Sequence, residues 1–394
     1  MNRPRARCRS RGFTLIELLV VILILAILIA LLLPAIMRAI TTAKEGAQTA
    51  EISNLGNALA DFKSQYGDYP PSRIILMENG AYDTTGTTTA VTWFTTTGIQ
   101  PPLSATDITY ATLAQRSVKY LRKFFPRAIF GTTNQALYTQ AFFHDFNGDG
   151  MMQTNPILLE GHEALVFFLG GIANRSGTAT NMSGFSKLPT NPFISPSATI
   201  AGANNRQAPF YEFPSNRLAD DDGDGMPGYL DSLDNSSQRY LAYFSSYGGG
   251  SYDPNDMNVG VVTAGSLLAP ELSPTTLNPI SRAFQVTFPV NPNSQTPNWL
   301  NSPPPNPYTN GPPVPLTGVV GPPTIFQNPE SYQIISTGLD RFYGVGGQFN
   351  SNSTGERLTI DDAAAAWNTG DNLDPSIRQL EADNLTNFSN RRLD

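Results

Sequence analysis

The chain has 394 residues, of which 65 are Gly or Pro, and only 14% are charged, against about 25% in an ordinary globular protein. One Cys and two His exclude a disulfide-stapled scaffold and zinc sites built from Cys and His clusters. The net charge of −7 reflects no surplus of Lys and Arg, which argues against a nucleic-acid-binding surface.

The first forty residues combine a basic segment with a long apolar run. Residues 1–12 contain five Arg and no acidic residue, and the stretch from Leu18 to Leu33 has no polar side chain. Counted from Phe13, the run is interrupted only by one Thr and by Glu17. A helix needs about 20 apolar residues to cross the hydrocarbon core. Residues 13–34 therefore predict a transmembrane helix whose arginine-rich end stays in the cytoplasm.

A secretory signal peptide and a plain membrane anchor are the simpler alternatives for this segment. The apolar run is longer than the 7–15 residues usual for the core of a signal peptide. A plain anchor leaves Glu17 unexplained, because a carboxylate inside an apolar span costs roughly 2.5–3.5 kcal/mol on insertion scales. Glu17 is therefore a candidate functional residue.

The sequence Gly12-Phe13-Thr14-Leu15-Ile16-Glu17-Leu18 resembles the cleavage and methylation motif of type IV prepilins and of the pseudopilins of type II secretion. Pro34 is similar to a proline that many members of this family carry at that distance from the cleavage site. The resemblance implies that prepilin peptidase cuts after Gly12 and methylates the new amine of Phe13. It also implies that Glu17 faces the Phe13 amine of a neighbouring subunit, an ion pair that makes a buried carboxylate less costly.

The same resemblance implies a location, a set of partners and a class of function. The chain would be a single-pass inner-membrane protein with a cytoplasmic N terminus and a periplasmic or extracellular C-terminal domain. Its partners would be prepilin peptidase, other pilin or pseudopilin subunits in a homo- or hetero-filament, and the inner-membrane assembly platform. We expect no enzymatic activity and no nucleic-acid partner. Removal of residues 1–12 leaves 20 Lys and Arg against 32 Asp and Glu, a net charge of −12, and no Cys.

Residues 35–66 predict a continuation of the helix as an amphipathic segment. Gly67 fits a C-terminal cap, and the Pro70-Pro71 pair prevents further helix. We expect the outer part of the helix to lay its apolar face on the following domain, and we expect a kink or local melting at Pro34. Apolar residues recur at helical spacing on either side of a polar step at Glu51: Ile36, Ile40, Ala43, Ala47, then Leu55, Leu59, Phe62 and Tyr66.

Residues 67–394 form the exported domain, and the predicted fold class is α+β. The expected architecture is pilin-like, with a long N-terminal helix packed on an antiparallel β-sheet that carries large loop insertions. Residues 273–323 contain 14 of the 32 Pro and predict an extended surface insertion, with a contact surface for neighbouring subunits as the alternative. Strand-like runs are found at Thr88–Phe94, Ala164–Phe168, Tyr240–Phe244, Phe284–Val290 and Tyr332–Ser336.

An acidic loop at residues 220–231 predicts a Ca²⁺ site. Calcium takes six or more oxygen ligands, which a twelve-residue loop supplies from positions 1, 3, 5, 7 and 12, with Gly at position 6. A solvated acidic turn is the alternative. The residues at the ligand positions are Asp220, Asp222, Asp224, Met226 through its carbonyl, and Asp231.

Two further places predict Ca²⁺ ligands. Asp145, Asn147 and Asp149 begin in the same way, but position 12 is Pro156; Glu160 or Glu163 could close this loop, and a metal-free turn is the alternative. The stretch Ile334–Asp340 resembles the end of major pseudopilins, where a loop carries calcium. By that resemblance Asp340 and Asp383 are candidate ligands.

Three functional hypotheses follow from these patterns. The first is a pseudopilin of a type II secretion or related type IV filament. The second is a surface type IV pilin or adhesin, which the large body rich in Asn, Ser and Thr favours. The third is a membrane-anchored calcium-binding or enzymatic exoprotein that carries the leader without assembling.

Overall fold

A computed structural model describes most of the helical N-terminal region and the folded parts of the body. The chain divides into two compact units, Met1–Ala47 and Gln48–Asp394. The described residues are 15–80, 82, 110–128, 130, 143–153, 156–176, 179–196, 198, 204–220, 223–233, 239–247, 250, 252, 256–257, 307–310, 325–340, 343, 346–347, 349–350, 358, 381–389 and 392–393.

The described elements are three α-helices, one short 3₁₀ helix at Ser215–Arg217 and nine short strands. The helices are α1 (Leu15–Tyr66), α2 (Tyr110–Phe124) and α3 (Gly161–Gly170). The strands are β1 (Ile74–Leu76), β2 (Ile157–Leu159), β3 (Ala173–Ser176), β4 (Ala179–Met182), β5 (Leu218–Ala219), β6 (Gly228–Tyr229), β7 (Ala242–Ser245), β8 (Tyr332–Ser336) and β9 (Leu385–Thr386).

The first unit contains the start of helix α1, with nearly all of its side chains exposed. The helix runs through Pro34 without interruption, so of the kink or local melting that we expected there, the melting is not found in this structure. A proline removes one backbone donor, and the turns on either side keep their own hydrogen bonds. Ile36 and Ile40 remain 51% and 48% exposed, so this part of the predicted apolar face is not laid on a protein surface.

The second unit begins with the end of helix α1, where the apolar face is buried. Leu55, Leu59 and Phe62 are 0% exposed and belong to the main hydrophobic core together with residues of α2 and α3. The helix ends as predicted, because Gly67 adopts a φ of +82° and donates its N–H to the Lys63 carbonyl at 2.7 Å. A left-handed residue at this position closes the last turn without the penalty that a Cβ would bring.

The expected helix on an antiparallel sheet is confirmed by strands β7, β8 and β9. These three pair in that order, and both pairs are antiparallel. The side chains alternate between two cores, as the twofold period of a strand requires: Tyr243 and Ile334 join the main core with α1, whereas Phe244 and Ile335 join a second core on the other face. Strands β1 and β2 form a separate antiparallel pair.

The strand predictions had mixed outcomes. The run Tyr332–Ser336 coincides with β8, and Tyr240–Phe244 overlaps β7. The prediction at Ala164–Phe168 is wrong, because these residues lie inside α3. A fully buried apolar run has no polar face to reveal its period, and all ten residues of α3 are buried. The runs Thr88–Phe94 and Phe284–Val290, the leader 1–12, and the Pro-rich insertion 273–323 apart from 307–310 lie outside the described residues.

Candidate functional site

The start of helix α1 is an apolar surface that carries a single charge. Glu17 lies in the first helical turn and is the only charged residue between Leu15 and Met37. Its neighbours Leu15 and Leu18 are 82% and 59% exposed. An acidic side chain in the first turn also interacts favourably with the positive end of the helix dipole. Gly12 and Phe13 lie outside the described residues.

The helix is long and apolar enough to cross a membrane. None of the residues in its most apolar window of eighteen is buried inside the protein. A soluble helix of this composition would be buried in a core. The exposed start of α1 therefore fits a single-pass membrane anchor.

A polar cluster in the second unit, which the sequence did not reveal, holds the end of α1 to the body. The Glu51 carboxylate accepts a hydrogen bond from Arg217 Nη1 at 2.6 Å and another from the Tyr229 hydroxyl. The Arg217 guanidinium also lies over the Tyr229 ring, 4.3 Å from its centroid. Burial, followed by the contact with Glu51, raises the pKa of Tyr229 well above its usual value. Glu51, the polar residue within the buried apolar face, therefore anchors α1 to the body through Arg217 and Tyr229.

In the acidic loop at residues 220–231, the described carboxylates accept hydrogen bonds from backbone N–H groups of the same loop. Asp220 accepts hydrogen bonds from the N–H groups of Gly223 and Gly225, at 2.8 and 3.1 Å. Asp224 accepts one from the Met226 N–H at 2.7 Å. Asp222 lies outside the described residues. The described part of the loop is therefore a tight turn in which aspartates satisfy the backbone donors.

Asp231, the predicted closing ligand of that loop, is engaged elsewhere in the fold. It is 1% exposed, and its Oδ2 accepts hydrogen bonds from the Ser336 hydroxyl and the Thr337 N–H. Its Oδ1 accepts one from the Leu233 N–H at 3.0 Å. Burial raises the pKa of Asp231 to about 6, against these hydrogen bonds. A role as metal ligand would require Asp231 to release the end of β8.

The second acidic loop lies over a buried glutamate that sequence reasoning missed. Glu78 is 0% exposed, and its two oxygens accept hydrogen bonds from the N–H groups of Phe146 and Gln153, at 3.2 and 2.7 Å. Burial, together with the charges of Asp145 and Asp149, raises the pKa of Glu78 to about 8 against those hydrogen bonds. Glu78 stands far from the loop in sequence, which is why spacing did not indicate it.

The carboxylates of the second loop are partly buried as well. Burial raises the pKa of Asp145 to about 6, although a hydrogen bond from the Gly150 N–H opposes the shift. Asn147 Oδ1 accepts a hydrogen bond from the Asp149 N–H at 3.1 Å. Glu163, a candidate to close the loop, instead accepts one from the Glu160 N–H at the start of α3.

The C-terminal candidates Asp340 and Asp383 are brought together. Asp383 Oδ2 accepts hydrogen bonds from the N–H groups of Leu339 and Asp340, at 2.6 and 3.0 Å. Burial raises the pKa of Asp383 against these bonds. Across the part of the chain that the structure describes, no group of three or more His, Cys, Asp or Glu side chains is arranged to hold a metal ion.

Comparison with known proteins gives one finding, at the N terminus. A family model described as the prokaryotic N-terminal methylation motif matches residues 7–33, which include Gly12, Phe13 and Glu17. No curated protein and no solved structure matches the chain. The motif is the signature of a structural family of filament subunits, and it implies processing by prepilin peptidase and assembly with other pilin subunits. The chain therefore carries, on the exposed apolar start of helix α1, the prepilin-type signature of the type IV pilins and pseudopilins.

Proposed function

We propose that the chain is a pseudopilin-like subunit of a type II secretion filament or of a related type IV filament. Before assembly it resides in the inner membrane with its N terminus in the cytoplasm. Prepilin peptidase cleaves it after Gly12 and methylates the amine of Phe13. The mature subunit then leaves the bilayer and joins the filament through the apolar part of α1.

The observation that carries this proposal is the exposed apolar surface of helix α1. Nineteen large hydrophobic side chains between Leu15 and Ile40 are exposed. Burying each of them is worth roughly 1.5–3 kcal/mol, so this surface requires either lipid or other protein helices around it. A filament core built from such helices supplies the second environment.

Glu17 and Pro34 would then serve assembly. A carboxylate buried among apolar helices is costly unless it is paired, and the free amine of a neighbouring Phe13 offers the matching positive charge. This pairing is possible only at one axial offset between subunits, so Glu17 would set the register. Pro34 would provide a site where the helix can bend or unwind on packing, since it lacks one backbone hydrogen bond.

A surface type IV pilin or adhesin is the second candidate function. The large body rich in Asn, Ser and Thr favours it, whereas the stretch Ile334–Asp340 favours the secretion filament through its resemblance to the end of major pseudopilins. Deletion of the gene distinguishes the two. Secreted proteins that accumulate inside the cell support the secretion filament, and loss of surface fibres with intact secretion supports the pilin.

Replacement of the single charge in the apolar segment tests assembly itself. We expect Glu17→Val to enter the membrane normally and to be lost from purified filaments. Leu19→Val is the matched control, because it also introduces a Val in this helix but leaves the charge intact, and it should assemble like the wild type. Incorporation of Glu17→Val at the wild-type level would contradict the proposed role of Glu17 in assembly, whereas absence of the wild-type chain from filaments would favour the membrane-anchored exoprotein.

A further inference from the structure

Helix α2 and the turn after it carry a basic surface in a chain that is acidic overall. Residues 116–127 contain five of the 20 Lys and Arg that remain after removal of residues 1–12, and they contain no Asp or Glu. Side chains three and four positions apart lie on the same face of a helix. Four of the five cationic residues are exposed and form what we call the basic surface: Lys119, Arg122, Lys123 and Arg127.

The opposite face of α2 holds the helix firmly on the body. Leu121 and Phe124 are 0% and 3% exposed and belong to the main hydrophobic core. On the same face, the Ile75 N–H of β1 donates a hydrogen bond to Ser117 Oγ at 2.9 Å. The basic surface is therefore presented by a helix that is already fixed. A partner that binds such a surface does not have to order it first, which lowers the entropic cost of association.

Folding of the monomer uses only part of this positive charge. Lys123 pairs with Asp68 at 2.8 Å, whereas among the described residues no ion pair is formed by Lys119 or Arg127. The helix dipole favours cations only in the last turn, where Arg122 and Lys123 lie. The dipole does not account for Lys119. The exposed side of α2 therefore carries more positive charge than its fold requires.

The complementary negative charge is concentrated in two other segments of the same chain. Residues 128–174 and 218–238 together contain ten Asp and Glu and no Lys or Arg. The acidic loops of these segments contact each other, because Asn147 Nδ2 donates a hydrogen bond to the Asp224 carbonyl at 3.2 Å. The body therefore presents one basic surface and, on adjacent loops, one acidic surface.

The exposed carboxylates of the acidic surface are those of Asp149 and Asp220. Asp220 pairs with Arg175 at 3.3 Å, a surface contact that solvent screens. In the part of the chain that the structure describes, Asp149 forms no ion pair, and none joins either aspartate to the basic surface. The two charged surfaces therefore do not neutralise each other within one chain.

We propose that the basic surface of α2 docks on the acidic surface around Asp149 and Asp220 of a second copy of this chain. The inference rests on the proposed filament. The mature chain has a net charge of −12, so two copies repel each other unless opposite charges meet where they touch. Complementary charges also fix the register of a contact. Because the two surfaces differ, the contact is heterologous, and such a contact produces an open helical filament when its rotation does not close a ring.

Carbodiimide cross-linking of the wild-type chain tests this contact. The reagent joins a lysine amine to a carboxylate that lies against it. We expect mass spectrometry of purified filaments to find links from Lys119 or Lys123 to the acidic surface, and we expect the monomer in detergent to lack them. The Lys123–Asp68 pair, 2.8 Å apart within one chain, is the internal control and should be linked in both samples.

The outcomes of the cross-linking separate this inference from the filament proposal. Filaments that contain the chain but no link between the basic and acidic surfaces would overturn the docking and leave the filament proposal intact. Links from the basic surface to carboxylates of a different protein would assign α2 to another partner and would also overturn the docking. Absence of the chain from all filaments would overturn both proposals.

Charge reversal on α2 tests the same contact without a cross-linker. We expect Lys119→Glu to lower the amount of chain in purified filaments by at least about tenfold, because like charges that face each other at an interface oppose association. Lys187→Glu replaces an exposed lysine outside both surfaces and should assemble like the wild type. Since Lys119 is exposed, the Tm of the Lys119→Glu monomer in detergent should match that of the wild type. Equal assembly of the two variants would contradict the docking.

Discussion

The apolar side chains of helix α1 are exposed in its first part and buried in its second part. Before Ala47 these side chains are exposed, with Leu25 at 51% and Leu28 at 49%. After Gln48 they are buried, and Leu55, Leu59 and Phe62 are 0% exposed. The second part of the helix thus packs against the body of the same chain. The first part requires lipid or other subunits around its apolar side chains. The difference separates what folds the monomer from what assembles it.

The acidic residues Glu17 and Glu51, one in each part of the helix, also differ in their surroundings. In the first part Glu17 lies among exposed apolar residues, where a carboxylate is costly in lipid. In the second part Glu51 already has partners, because Arg217 and Tyr229 donate to it. Glu51 therefore serves the folded body, whereas Glu17, in our account, serves assembly.

The largest effect should come from truncating a buried aromatic ring of the second part. Phe62 packs edge-on against Phe124 at 5.2 Å and Phe168 at 5.7 Å between ring centroids. We expect Phe62→Ala to lower the free energy of unfolding by about 3–5 kcal/mol, measured by urea unfolding in detergent with circular dichroism. Leu28→Ala is the control from the exposed part and should change it by no more than about 0.5 kcal/mol. Equal losses would mean that both parts belong to one folding core.

A smaller effect should come from removing the buried carboxylate anchor. Glu51→Ala removes the acceptor of Arg217 Nη1 and of the Tyr229 hydroxyl, and hydrogen bonds to charged groups contribute about 1.5–3 kcal/mol. The matched control is Asp68→Ala, which breaks the Lys123–Asp68 pair at 2.8 Å, where both side chains are 43% exposed. Exposed pairs contribute about 0.2–1 kcal/mol. If the two variants lose the same stability in urea unfolding, Glu51 is not an anchor.

The smallest effect should be a difference in Tm between Ala substitutions at two glycines of helix α1, Gly56 and Gly46. A Cβ added to Gly56 would lie 2.8 Å from the Tyr332 hydroxyl, whereas one added to Gly46 meets nothing within 4 Å. Overpacking costs about 1–3 kcal/mol, against the gain of about 1 kcal/mol from replacing Gly by Ala in a helix. We expect Gly56→Ala to lower the Tm of the body slightly, whereas Gly46→Ala, which meets no clash, should not lower it. A lower Tm for Gly46→Ala would contradict the division of the helix.

The sequence predicted helix α1, its end at Gly67 and the strand Tyr332–Ser336. These features depend on local patterns, namely an apolar run, a capping glycine and a β-branched segment. Helix α2 was not predicted, and α3 was mistaken for a strand, because the type of a fully buried segment is decided by its neighbours in space. The same limit applies to the sites. Spacing indicated the acidic loops that begin at Asp145 and Asp220. It did not indicate the hydrogen bond from Asn147 to the Asp224 carbonyl, the contact of buried Glu78 with Phe146 or the Glu51 anchor, because each joins residues distant in sequence.

Mass spectrometry of the mature protein tests the central claim most directly. The chain purified from its native membrane or filament should begin at Phe13 and carry one methyl group on its amino nitrogen. In a strain without prepilin peptidase, the same chain should retain residues 1–12 and fail to assemble. A mature protein that still begins at Met1, in a strain with active peptidase, would contradict the account.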